Sequence, residues 1–159
     1  TIQKILADDA QVCLVSDAGT PGISDPGYAV VSVARQEGIA IQVIPGASAF
    51  LAALSVSGLP INKFVYLGFL PLKKGRKTLL DSLKDEEKTI VLYESPHRII
   101  RTLDELGDVL SSQPDRAIVI CRELTKMHEE VVHTSVANLN DVLDSLTVKG
   151  EFCVVIGPA

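Results

Sequence analysis

Three glycines, two prolines and two carboxylates crowd the stretch Ser16-Asp17-Ala18-Gly19-Thr20-Pro21-Gly22-Ile23-Ser24-Asp25-Pro26-Gly27, directly behind the apolar run Val12-Cys13-Leu14-Val15. Glycines at such a turn let backbone N–H groups come close to a ligand. Asp17 or Asp25 could then accept a hydrogen bond from a ribose hydroxyl or an amine. The same composition also makes a tight turn with helix caps, and spacing alone leaves both readings open. The chain has no Gly-Lys-Ser/Thr and no Gly-x-Gly-x-x-Gly, which excludes a P-loop and the dinucleotide fingerprint. A second small-residue turn, Pro45-Gly46-Ala47-Ser48-Ala49, comes after the next apolar run, Ile41 to Ile44. A flat or anionic ligand could rest against backbone there, or the helix could simply need small residues to pack.

Two further clusters carry polar chemistry. Tyr93-Glu94-Ser95-Pro96-His97-Arg98 sets an aromatic, an acid, an imidazole and a guanidinium at one strand end. In open α/β sheets the carboxyl ends of strands are where ligands bind. Arg122-Glu123-Leu124-Thr125-Lys126-Met127-His128-Glu129-Glu130 lies behind another strand and reads either as a site loop or as a solvated face. His128 and His133 are five residues apart, which on a helix sets them about 140° from each other, so no zinc-protease motif and no metal site is expected. Lys73, Lys74, Arg76 and Lys77 form the one dense basic run, either a solvated loop or a contact for phosphates.

Periodicity gives the elements that must position these residues. A helix end is expected over residues 1–8, strands over Val12–Val15 and Ile41–Ile44, a helix opened by Asp25-Pro26 and closed by Gly38, and a buried helix from Ser48 to about Ser57. This β-loop-α-β-loop-α order predicts a parallel sheet with helices on its faces. Ser57 to Asn62 is rich in turn formers and divides the chain into domains 1–60 and 61–159. In the second, strands are expected at 64–69, 89–93, 117–121, 130–133 and 151–156. Helices are expected at 76–83, from Ser95-Pro96 to about Leu110, and from Thr134 to Leu146. The first domain is undersized for a sheet that must bury its edges.

With 159 residues, 47% of them hydrophobic and 22% charged, the chain is globular and has ample material for a core. A net charge of −5 excludes indiscriminate nucleic-acid binding, so any RNA contact must come from a local patch. The longest nearly apolar stretch, 47–59, is too short to span a bilayer. Cys13, Cys121 and Cys153 sit inside apolar patterns, which predicts three buried thiols in a cytoplasmic protein rather than a disulfide framework. No signal peptide is visible and Thr1 is not an initiator methionine, as expected of a processed or partial chain.

Taken in order, the 15–27 motif, Pro45-Gly46-Ala47-Ser48-Ala49, Gly68-Phe69-Leu70-Pro71, the Tyr93–Arg98 string and Arg122-Glu123-Leu124-Thr125-Lys126 resemble the tetrapyrrole methylase (class III methyltransferase) family, in the branch that modifies small-subunit ribosomal RNA. The resemblance covers nearly the whole chain. It implies two α/β domains of the tetrapyrrole methylase type with S-adenosyl-L-methionine in the cleft between them, usually in a homodimer. It also implies methylation of the ribose 2′-hydroxyl of a cytidine in small-subunit (16S) rRNA. Asp17, Ala18, Gly19, Thr20 and Ile23 match the first cofactor turn, Ser48 and Ala49 the second, and Tyr93 a third contact region. The family begins with a strand, a Pro-Ile-Gly-Asn-like loop and an Asp-Thr-Arg segment, none of which is in this sequence. The N-terminal domain is therefore expected to be incomplete by about seventy residues.

Methyl transfer to a ribose hydroxyl needs alignment and removal of a proton from a very weak acid. Glu94, His97 and Glu123 are the candidate bases or orienters. Arg98, Arg122 and Lys126 could hold flanking phosphates or lower the hydroxyl pKa, and no metal is required. The rival readings are a small-molecule (corrin-type) tetrapyrrole methylase and a non-catalytic fragment that keeps part of the cofactor cleft.

Overall fold

The computed structural model describes residues 11–159, so the helix expected over 1–8 lies outside the described residues. The chain divides into two compact units, Thr1–Ser48 and Ala49–Ala159, a division twelve residues earlier than residue 60. The helix after Ser48 belongs to the second unit, because Ala53 and Leu54 pack on that unit's sheet.

In the first unit the described residues form one helix, α1 (Tyr28–Gln36), between long loops. Its end is set by Gly38, whose left-handed φ of 70° turns the chain out after the Gly38 amide donates to Arg35 O. Of the face expected to be apolar, Ala34 is buried, whereas Tyr28 is 83% exposed. Residues 12–15 and 41–44 are not strands. Among the described residues no ladder pairs them, and Val15 and Val43 are 79% and 77% exposed. Strand propensity without a hydrogen-bonding neighbour does not make a strand. Cys13 is likewise exposed, contrary to expectation, because it shares that unpaired segment.

The second unit is a five-stranded sheet with helices on both faces. Its elements are α2 (Ala49–Val56), β1 (Phe64–Phe69), α3 (Arg76–Ser82), β2 (Thr89–Glu94), α4 (Ile99–Val109), β3 (Ala117–Arg122), β4 (Glu130–Ser135), α5 (Leu139–Ser145) and β5 (Phe152–Ile156). The strand order is β1-β2-β5-β3-β4. Only the β1–β2 ladder is parallel; β5 pairs antiparallel with both β2 and β3, and β4 antiparallel with β3. The sheet is therefore mixed. The loop 123–129 is too short for a crossover helix, so β4 returns as a hairpin.

Side-chain alternation sorts the core. Ile90, Leu92, Ile118, Ile120, Val154 and Ile156 face α3, α4 and α5, where Leu80, Leu103, Leu106 and Leu139 meet them. Val91, Val119, Cys121, Cys153 and Val155 face α2. That helix is buried on one side only, with Leu51 and Val56 about half exposed, not all round as its composition suggests. Cys121 and Cys153 are registered opposite one another, and burial pushes the Cys121 thiol up to about 11 and the Cys153 thiol higher still. They are inert core groups.

Two helix starts differ from expectation. Ser95 does not cap α4, because residues 96–98 form a turn before Ile99 and Arg98 stands at the position that precedes the helix. Thr134 lies in β4, which runs on to Ser135, and α5 begins only at Leu139 after a 3-10 turn.

Candidate functional site

In the first unit two loops meet. Gly19 takes a left-handed φ of 71°, which L side chains rarely adopt, and so swings Thr20 toward the second turn. There Thr20 Oγ1 donates to Ala47 O at 3.0 Å. A Cβ built on Gly19 would meet that same carbonyl at 3.8 Å, and one on Gly46 would meet Thr20 Oγ1 at 3.8 Å. The Gly19-Thr20 and Gly46-Ala47-Ser48 turns are thus side by side. Asp17 and Ala18 stand exposed at the edge of this pair, Ile23 is 42% exposed, and the Ile23 amide donates to Thr20 O. Ser48 Oγ is, among the described residues, the one buried side-chain polar atom without a hydrogen-bond partner. A buried hydroxyl left unpaired costs free energy unless a ligand meets it.

In the second unit the sheet gathers its polar groups at one end. β1, β2 and β3 point the same way, and the register sets Glu94 and Arg122 on either side of Phe152, with Glu130 beyond Arg122. On the α2 side of that end, Tyr93 OH accepts from the Phe50 amide at 3.0 Å, close to where α2 begins at Ala49. The Tyr93 ring lies 5.6 Å from Phe69 and 5.6 Å from Tyr66.

Glu94 is the most engaged of the candidates. Its side chain is 0% exposed; Oε1 pairs with Arg98 at 2.7 Å and accepts from the Ser95 amide at 2.8 Å, while Oε2 accepts from Thr102 Oγ1 at 2.7 Å. The chain of contacts continues. Arg76 donates to Thr102 Oγ1 at 2.8 Å, to Pro71 O at 3.2 Å and to Glu105 at 2.7 Å, and Arg101 reaches the other Glu105 oxygen at 2.9 Å. Arg98 also donates to Leu70 O at 3.1 Å. Burial pushes the Glu105 carboxyl up, but hydrogen bonds from Arg76 and Arg101 outweigh it and hold the group below the usual carboxylate range. His97, exposed on the turn beside this network, takes no part in it.

The end of β3 is built differently. Glu123 and Thr125 both have left-handed φ values, 50° and 66°, uncommon for residues with side chains. Glu123 Oε1 accepts from Lys126 Nζ at 2.9 Å and from the Glu151 amide at 2.9 Å, and the Glu123 amide donates to Glu151 O at 3.0 Å. Lys126 also reaches Glu151 at 2.9 Å, and Arg122 pairs with Glu130 at 2.9 Å. The Lys126 hydrogen bond, with help from the Glu151 amide, holds the Glu123 carboxyl below its ordinary range. The Glu123 and Glu151 hydrogen bonds hold the Lys126 ammonium above its own.

The sheet therefore brings Tyr93, Glu94, Arg98, Arg122, Glu123 and Lys126 to one end, and the first unit brings Gly19 and Thr20 against Gly46 and Ala47, which precede Ser48. Sequence reasoning missed Thr102, Glu105, Glu130, Glu151 and the buried role of Arg76. A signal existed for two of these: Arg98, Thr102 and Glu105 recur at helical spacing on one face of α4.

A family profile described as Tetrapyrrole (Corrin/Porphyrin) Methylases matches residues 1–140. The "Ribosomal RNA small subunit methyltransferase I" of Halalkalibacterium halodurans is 45% identical over 98% of this chain and 55% of its own length. The protein of that name from Thermotoga maritima is 41% identical over 98% of this chain and 68% of its own length. The chain thus spans about half to two thirds of such relatives. Among solved structures, a uroporphyrin-III C-methyl transferase from Thermus thermophilus, complexed with S-adenosyl homocysteine, superposes with a TM-score of 0.59. It is 20% identical, over 87% of this chain and 62% of that one.

Proposed function

The chain belongs to the tetrapyrrole methylase family, within the group of the small-subunit ribosomal RNA methyltransferases, and from that premise we propose that it serves S-adenosylmethionine-dependent 2′-O-methylation of a cytidine in small-subunit rRNA. Cytoplasmic location and assembly as a homodimer are part of the same reading. Among the described residues no helix is long and apolar enough to cross a membrane.

The observation that carries the reading is the meeting of the Gly19-Thr20 loop with the Gly46–Ser48 turn. Within one small unit it offers open backbone, two carboxylates nearby in sequence and one orphaned buried hydroxyl, Ser48 Oγ. These suit a polar, partly flat cofactor. Asp17, Ala18, Gly19, Thr20, Ile23 and Ser48 would hold it, and Ala49 and Tyr93 are the further positions that the family resemblance assigns to the cofactor. Bound S-adenosylmethionine supplies an electrophilic sulfonium methyl.

The chain's own residues must align the ribose hydroxyl and take its proton. Glu94 is wholly buried with both oxygens engaged, so we assign it to holding Arg98 and the 70–76 loop. Glu123 is tied to Lys126, which makes it the weaker base. His97 is exposed and outside both networks, and it is our choice for the proton acceptor. Arg122 and Lys126 would contact flanking phosphates.

Calorimetric titration with S-adenosylmethionine, followed by transfer of labelled methyl to small-subunit rRNA, tests this. Saturable binding with label recovered as 2′-O-methylcytidine is expected. The variant His97→Ala should bind cofactor normally yet lose about a hundredfold or more in transfer. Label on a base, or bound cofactor without any transfer to RNA, would overturn the proposal.

A further inference from the structure

Between α3 and α4, fronted by the loop from Leu70 to Gly75, runs an open groove of about 360 Å³. Its rim carries Lys73 on the loop and Lys77 in the first turn of α3, and Lys74 follows Lys73 on the loop. All three are exposed, and none enters an ion pair among the described residues. The neighbouring arginines are spoken for, Arg76 and Arg101 by Glu105 and Arg98 by Glu94. Three unpaired ammonium groups within five residues are a local exception on a chain of net charge −5.

The loop that presents Lys73 and Lys74 and leads into the helix of Lys77 is held rather than slack. Arg98 and Arg76, both tied into the network, donate to the successive carbonyls of Leu70 and Pro71. Gly75, at a left-handed φ of 83°, then turns the chain into α3. A binding surface ordered in advance loses less entropy when its ligand arrives.

The groove wall also selects the ligand's chemistry. No aromatic side chain lines it, so there is no platform on which a base could stack. Asp81 and Asp108 lie on the wall away from the loop and would repel an anion there, which confines negative charge to the lysine rim. Mobile ammonium groups without stacking partners suit phosphate oxygens, not base edges.

We propose that the lysine rim of this groove is a docking track for the RNA phosphate backbone, which positions the substrate strand without reading its sequence. The proposal rests on the reading of the protein as an rRNA methyltransferase.

The test is filter binding of a transcribed small-subunit rRNA fragment to the whole chain across a salt series, with S-adenosylmethionine binding measured in parallel. Each lost phosphate contact reduces the magnitude of the slope of log K against log salt by about 0.7 to 0.9, so K73Q/K74Q/K77Q should reduce it by about 2 to 3 and weaken binding about tenfold or more. Cofactor binding and the unfolding midpoint should not move. K84Q/K88Q, which removes two lysines already paired with Asp81 and Glu86, should bind RNA as the wild type does. Wild-type binding with an unchanged slope in the triple variant overturns the track and leaves the RNA reading standing. Cofactor binding without any RNA binding by the wild type overturns both. Unchanged RNA affinity with altered sedimentation of the triple variant would make the groove an interface between copies of the chain, and would also overturn the track.

Discussion

The ends of β2 and β3 carry similar side chains and hold them in opposite ways. At β2, Glu94 is shut away from water and every contact it makes is internal, to Arg98, Thr102 and the Ser95 amide. At β3, Glu123 also has a cation a turn further on, but the partner Lys126 is 47% exposed and the backbone bends through two left-handed residues. The medium decides what each acid can do. A buried charge must keep its partners, because removing one leaves an uncompensated ion. An exposed pair gains little from its partner and gives it up readily to a ligand. Two strand ends of like composition are thus split between architecture and an open, exchangeable surface.

The first way to break this contrast is to remove the buried acid. Glu94→Ala strands Arg98 and Thr102 and is expected to lower the unfolding free energy by about 3–4 kcal/mol, read from urea melts. Glu94→Gln keeps an acceptor oxygen in place and should recover about half of that loss. A Glu94→Ala protein that melts at the wild-type midpoint would mean the network orders the loop without stabilising the fold.

How much of this could be read in advance differs between the two units. In the second, β1 is legible to the residue, from Phe64 to Phe69, because a short unbroken apolar run bounded by turn formers and polar residues reports a strand, and here the strand has real neighbours. The strand order could not be read, since β5 comes last in sequence and lies in the middle of the sheet. In the first unit the same apolar signal at 12–15 and 41–44 produced no ladder, for propensity reports what a residue tolerates and not what stands beside it. The site was legible as motif and illegible as wiring. Glu94 and Arg98 announce themselves in a polar string, but the sequence does not reveal that Glu94 is buried. Thr102 and Arg76 complete the network from helices whose side-chain directions depend on packing.

A smaller effect tests the backbone at β3. Gly150 has φ of 84°, and a Cβ there would come within 2.5 Å of Glu123 Cγ, Cδ and Oε1. Gly150→Ala should cost about 1–2 kcal/mol through its left-handed conformation. The flexible Glu123 side chain would swing away from Lys126 and the Glu151 amide, so its carboxyl should return upward toward the ordinary range. An NMR pH titration of the Glu123 carboxyl reads this directly. If titration is unchanged while stability falls, the glycine serves the turn alone.

The smallest expected effect is the most diagnostic of the contrast. Glu123 is held below the ordinary carboxylate value of 4.5, so its pair with Lys126 contributes above that pH and is lost as pH falls through the native value. Lys126 is held above the ordinary 10.5, so its contribution is present below that pH and is lost as pH rises through its native value. The stability difference between wild type and Lys126→Met should therefore be flat around neutrality and shrink toward both extremes. Raising salt from about 0.1 M to 1 M should shrink it further at neutral pH, because Lys126 and its second partner Glu151 face water. The Glu94→Ala difference should hardly respond to the same salt, since the Glu94 carboxylate is sealed from solvent. Equal salt sensitivity at the two strand ends would erase the distinction between them, and with it the ground for treating Glu94 as architecture.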